Sequence, residues 1–239
     1  MYPVLSKFAS QKNMRAFKSS LGRCIDIVMI VMIPIMVGMI IFSKPIVQLL
    51  FEGGSFTSRD TQLTSTALLC YSLGMVSFGI RDIVSRGFYS LQDTKTPVKN
   101  AMVAVIIDIV FSILLVRVMG IGGLALSTSI STTVGALLLI ISLRRKVGKL
   151  GIKSSLITGL KSIVASIIMG IICKELYTLI MFLGGNYTHE TKKLVLIGLV
   201  VSSSVGAIVY LILSLLFNIK EVRDIVSQVK MKYIQILKK

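Results

Sequence analysis

Apolar residues in this chain collect in runs of roughly 18 to 25, the length a helix needs to cross a hydrocarbon core of about 30 Å. Six runs can be drawn: residues 25–42, 61–90, 97–118, one from the glycine turn at 120–123 to about 143, then 156–183 and 193–217. The pattern predicts an all-α integral membrane protein with about six transmembrane helices. Local chemistry marks the boundaries. Pro34 predicts a kink in the first run, and Ser43-Lys44-Pro45 a break after it. Residues 46–51 are too short to cross and read as an interfacial turn stopped by Gly53-Gly54. Thr57-Ser58-Arg59-Asp60 carries capping types before the second helix, which is read as unbroken. Thr96 is the expected cap of the third, with Pro97 at its first position.

The segments between the runs set the organisation. Residues 1–24 form a basic amphipathic segment, with a short surface helix expected at 13–20, and are too polar for a signal peptide. Residues 25–143 hold four spans, 144–155 a basic loop and 156–217 two more spans. In the tail, 218–239, Val222, Ile225, Val226, Val229, Tyr233 and Leu237 recur at helical spacing among basic residues, which suits a helix lying on an anionic leaflet.

Charge changes the picture by giving a direction. The chain has 27 Lys and Arg against 10 Asp and Glu, a formal net charge of +17. Most of the positive charge lies in the N-terminal segment, the 144–155 loop, the tail and around Lys95. The opposite loops hold only Lys44, Arg59, Arg117, Lys192 and Lys193. The positive-inside bias therefore places both termini in the cytoplasm. That distribution, without an RNA- or DNA-binding motif, argues against nucleic acid as a partner. Cys24, Cys70 and Cys173 are scattered and His189 is the single histidine, so neither a metal site nor a disulfide framework is legible. No phosphate-binding loop, HExxH or GxSxG motif is present, which argues against an enzyme. No cofactor is implied.

Ionisable groups at membrane depth cost about 2.5 to 3.5 kcal/mol each by insertion scales, so each needs a partner, a wet cavity or an escape to the interface. Arg81, Asp82 and Arg86 cluster in the last third of the second helix. Asp82 and Arg86 are four apart, in the favourable order for an ion pair, and Arg81 points elsewhere. These residues either snorkel to the inner surface or face a water-filled cavity that accepts an anionic substrate. Asp108 sits mid-span, with Arg81, Lys161 or a coupling ion as possible partners; the alternative is a protonated carboxyl packed between helices. Gly123, Ser127, Ser131 and Gly135 make a small-residue stripe, and Gly198, Ser202 and Gly206 a second. Such faces let another helix approach closely; a polar cavity lining is the second reading.

Two stretches carry a resemblance. One is Phe51-Glu52-Gly53-Gly54-Ser55-Phe56-Thr57, followed by Ala67-Leu68-Leu69-Cys70-Tyr71-Ser72-Leu73-Gly74. The other, more specific, is Arg86-Gly87-Phe88-Tyr89-Ser90-Leu91-Gln92-Asp93-Thr94-Lys95-Thr96-Pro97-Val98-Lys99. Together they resemble the MurJ (MviN) family of lipid II flippases, in the MOP superfamily. That family has two six-helix lobes and two further C-terminal helices, and works by alternating access in bacterial cell-wall synthesis. The resemblance implies that this chain corresponds to helices nine to fourteen: second-lobe helices plus the last two, which in the family form a groove for the lipid tail. It implies the bacterial plasma (inner) membrane, an undecaprenyl-linked peptidoglycan precursor as substrate, and a partner supplying the N-terminal half, where most cavity arginines lie. Alternating access needs two bundles around one site, so the chain is expected to be inactive alone. The carboxylate of Asp108 departs from the Asn-like residues common there. Two other readings stay open: part of a flippase for another polyprenyl-linked glycan, and a non-transporting membrane scaffold.

Overall fold

The computed structural model describes residues 2–148, 150, 152–184, 191–224 and 227. Helix α1 (Tyr2–Ser10) is followed by α2 (Met14–Phe51), α3 (Ser58–Ser72), α4 (Met75–Ser90), α5 (Lys95–Met119), α6 (Ile121–Val147), α7 (Ile152–Gly184) and α8 (Thr191–Leu216). Among the described residues five are long and apolar enough to cross a membrane, and the α3–α4 pair, bent by 43°, brings the number to six when counted as one broken span. The loop at 185–190 and the tail residues Ile225, Val226, Val229, Tyr233 and Leu237 lie outside the described residues.

The first three expected elements are one helix. α2 runs unbroken for 38 residues through Pro34 and Pro45, about 57 Å at 1.5 Å per residue. Its start is capped by Asn13, whose side chain accepts from the Ala16 N–H at 3.1 Å. No separate surface helix exists at 13–20, and Ser43-Lys44-Pro45 does not end the span. At Pro34 a partner on another helix makes good what the proline removes. Without an N–H at position 34, the Ile30 carbonyl loses its partner one turn on. The Tyr210 hydroxyl of α8 donates to that carbonyl at 2.7 Å and shares a 2.7 Å bond with the Ser162 hydroxyl of α7. A neighbouring helix thus satisfies the carbonyl that Pro34 leaves without a partner.

The second span shows the reverse. Thr57 and Asp60 close a capping box at the start of α3. The helix then breaks at Leu73-Gly74, where the sequence suggested continuity. The Gly74 N–H bonds Tyr71 instead of Cys70. The freed Cys70 carbonyl is taken by the Ser129 hydroxyl of α6 at 2.6 Å. A Cβ on Gly74 would lie 2.9 Å from the Ser129 Cα, so α6 can enter the bend only because residue 74 is glycine. The cap of α5 also differs: Asp93, not Thr96, accepts the Thr96 N–H (3.0 Å) and the Thr96 hydroxyl (2.8 Å).

Two main apolar cores follow. Ile30 and Phe42 of α2 pack with Met169 and Cys173 of α7, Leu199 and Tyr210 of α8, and Ile219 and Val222 beyond it. Leu5, Phe17 and Leu21 pack with Ile83, Val84 and Phe88 of α4 and Leu139 and Leu143 of α6. Helix α5 lies outside both, and only Pro97 and Ala104 of it are buried.

Candidate functional site

Helix α4 carries the charged cluster. By helical rise Arg81 and Asp82 lie about 12 to 14 Å from its end at Ser90, and Arg86 about 6 Å. The Arg86 Nε donates to Asp82 Oδ2 at 3.0 Å, and both side chains stay about half exposed. Arg81 takes another direction: its guanidinium lies 5.4 Å from the Phe78 ring centre. It borders a cavity of about 160 Å³ together with Ser85, Asn100 and Gly135. One turn above, the Thr133 hydroxyl of α6 donates to Ser77 of α4 at 3.0 Å, with Thr133 exposed. These groups place a polar face at membrane depth on α4 and α6. The Ser77–Thr133 pair has no helical periodicity to announce it, and residue types alone did not single it out.

Asp108 is bound by neither of the expected cations. The Ser131 hydroxyl donates to its Oδ1 at 3.2 Å, while Lys161 donates to the Phe217 carbonyl at 2.8 Å. By rise, Asp108 is about 20 Å from the start of α5 and about 16 Å from its end, so snorkelling is closed to its short side chain. Half-buried in the α5–α6 seam, it sits beside a second polar contact, Ser112 to Ser127 at 2.7 Å.

All four residues of the first small stripe face α5. A Cβ on Gly123 would overlap the Leu115 carbonyl, and one on Gly135 would meet Ala104 at 3.1 Å. Ser127 and Ser131 make the two hydroxyl contacts just described. The second stripe faces α7: Gly198 lies against Tyr177 and Gly206 against Cys173. The Cys173 thiol donates to the Ser202 carbonyl at 3.3 Å. Among the described residues no group of His, Cys, Asp or Glu side chains is placed to hold a metal ion.

An apolar groove of about 890 Å³ runs between α2, α7 and α8, bordered by Val31, Ile35, Met39, Leu199, Ala207 and Leu211. Gly38 leaves open space there, for nothing would lie within 4 Å of a Cβ at that position. On the face that carries the N-terminus, the loop after α4 is tied down by Asp93, which pairs with Lys146 of α6. That ammonium, followed by the Thr96 N–H, holds the Asp93 carboxyl below its ordinary range, at about 2.

A helical bundle with this many apolar membrane-length helices, matching a solved flippase structure, is a multi-pass membrane protein with the MOP-type transporter fold. The family model described as lipid II flippase MurJ matches residues 1–190, and the chain belongs to that family. It is 36% identical over 141 residues to the lipid II flippase MurJ of Thermosipho africanus, covering 59% of this chain and 29% of the relative. With the probable lipid II flippase MurJ of Thermotoga maritima it shares 26% identity over 196 residues, covering 82% of this chain and 37% of the relative. A solved structure, lipid II flippase MurJ in an inward closed conformation, matches with a TM-score of 0.70 at 30% identity, covering 93% of this chain and 42% of that one. The chain thus spans well under half of the proteins it matches, and corresponds to their C-terminal portion.

Proposed function

We propose that this chain forms the C-terminal portion of a lipid II flippase in the bacterial plasma membrane, with both termini cytoplasmic, and that it transports rather than catalyses. The carrying observation is that one bundle holds both a charged, hydroxyl-bearing face on α4 and α6 and an apolar groove between α2, α7 and α8. Lipid would solvate Asp82, Arg86 and Thr133 poorly, so that face suits a wet cavity closed by further helices. The groove suits a hydrocarbon tail. An undecaprenyl-linked glycan precursor has both parts: an anionic, polar head and a long apolar chain.

Arg81 and Arg86 are the cationic groups for the head, Asp82 holds Arg86 in place, and Asp108 is the group for ion coupling. Helix α5 fits the same reading. It is a membrane-length helix almost bare apart from its α6 seam, so the remaining helices of the transporter would pack on it. Alternating access requires two bundles, and this chain supplies part of one. The test is lipid II translocation in cells depleted of their own flippase. The chain co-expressed with the N-terminal portion of a close relative should restore translocation, and the chain alone should not. Full translocation by the chain alone would overturn the shared-site reading.

A further inference from the structure

On the face carrying the N-terminus, a polar pocket of about 460 Å³ lies between the start of α2, the start of α7 and the helical turn at 220–224. It is separate from the α4–α6 face and from the apolar groove. Asp26 borders it and is 6% exposed. Its Oδ1 is buried with no hydrogen-bond partner among the described residues, and the same holds for Oε2 of Glu221, which borders the same pocket. Ser155 and Glu221 lie beside Asp26 in the pocket, and the two carboxylates are near enough to repel each other. Two buried acceptors of like charge that share a pocket call for a ligand with several N–H donors and a positive charge.

The rest of the pocket is positive on balance, with Lys18, Arg23 and Lys220 against Asp224. Lys18 and Lys220 border it and make no ion pair or hydrogen bond among the described residues. Arg23 borders it too, 3.3 Å from Asp224. A simple cation would leave the lysines unused, and a simple anion would leave the carboxylates orphaned. The site asks for a zwitterion with an ammonium at one end and a phosphate at the other. Its depth selects the source: Arg15, Lys18 and Arg23 mark the interfacial turns of α2, and Asp26 lies one turn deeper.

We infer that this pocket binds the headgroup of a phospholipid with a primary amine, phosphatidylethanolamine in chemistry, with its ammonium on Asp26 and Glu221 and its phosphate on Lys18 and Lys220. A lipid held there would join α2, α7 and the segment after α8 at the leaflet surface. The ammonium of that headgroup has three N–H donors, and each N-methylation removes one while keeping the charge.

The full chain is purified in detergent and its thermal unfolding followed as lipids are added: phosphatidylethanolamine, its mono- and dimethyl forms, phosphatidylcholine, phosphatidylglycerol and soluble phosphoethanolamine. The expected result is a rise in unfolding temperature with phosphatidylethanolamine that declines stepwise with methylation and is absent with phosphatidylcholine. Native mass spectrometry should show at least a fivefold preference for the primary amine. D26N and E221Q should each remove that preference; E221Q, at a more exposed position, serves if D26N does not fold. Equal stabilisation by phosphatidylcholine would overturn the inference. So would a response to phosphatidylglycerol alone, or an effect reproduced by soluble phosphoethanolamine or by sodium or potassium ions without lipid. The methylation series uses the unaltered protein, so a folding defect in a variant cannot obscure the result.

Discussion

Tyr210→Phe removes one hydroxyl and nothing else, yet it should reach three helices. That hydroxyl donates to the Ile30 carbonyl at 2.7 Å and shares a 2.7 Å bond with Ser162. The Ile30 carbonyl needs an outside donor because Pro34 has no N–H to offer it. Leaving a buried acceptor unsatisfied costs about 1 to 3 kcal/mol, while interhelical hydrogen bonds in bilayers average about 0.6 and reach about 1.7 kcal/mol. Tyr210 is buried and its hydroxyl donates directly to that carbonyl, so the cost should fall at about 1 to 2 kcal/mol. Ser162 can turn to a carbonyl on its own helix and adds little. Pro34→Ala restores the missing N–H, and in that background Tyr210→Phe should cost less than about 0.5 kcal/mol. The measurement is a double-mutant cycle by reversible unfolding in mixed micelles, followed by circular dichroism. If Tyr210→Phe costs the same in the Pro34→Ala background as in the unaltered chain, the hydroxyl does not serve the proline-freed carbonyl and the reasoning fails.

Three other outcomes can be checked. Asp93→Ala removes the α5 cap and should cost about 1 kcal/mol, with only a small addition for the partly exposed pair with Lys146. Because the folded carboxyl is held at about 2, its contribution is complete above the ordinary carboxylate range and is lost as pH falls from about 4 towards 2. Asp93→Asn should lack that segment of the pH–stability curve; an unchanged curve would count against the pairing. Gly74→Ala presses a Cβ against the Ser129 backbone and should destabilise by about 1 to 3 kcal/mol, read in the same unfolding experiment. Asp108→Asn keeps an acceptor for Ser131 and should leave stability within about 0.5 kcal/mol. It should lower lipid II translocation by the assembled transporter at least about tenfold, and undiminished translocation would remove Asp108 from the coupling role.

The class and five of the membrane-length helices were legible in the residues alone, because crossing a bilayer imposes a length and an apolarity that one segment must satisfy without help. So was the Asp82–Arg86 pair, whose partners are four residues apart on one helix, and the family, through short stretches read in order. Out of reach were the places where one helix completes another. Ser43-Lys44-Pro45 reads as a break, Pro34 as a kink, and the Leu73-Gly74 bend as continuous helix. Whether a backbone carbonyl without its helical donor breaks a span depends on what stands opposite, and Tyr210 lies 180 residues from Ile30. The partner of Asp108 was hidden for the same reason, since Ser131 is chosen by the packing of α6 on α5. In a membrane the backbone must be satisfied from within the protein, so local pattern states each need and only the tertiary arrangement says which side chain meets it.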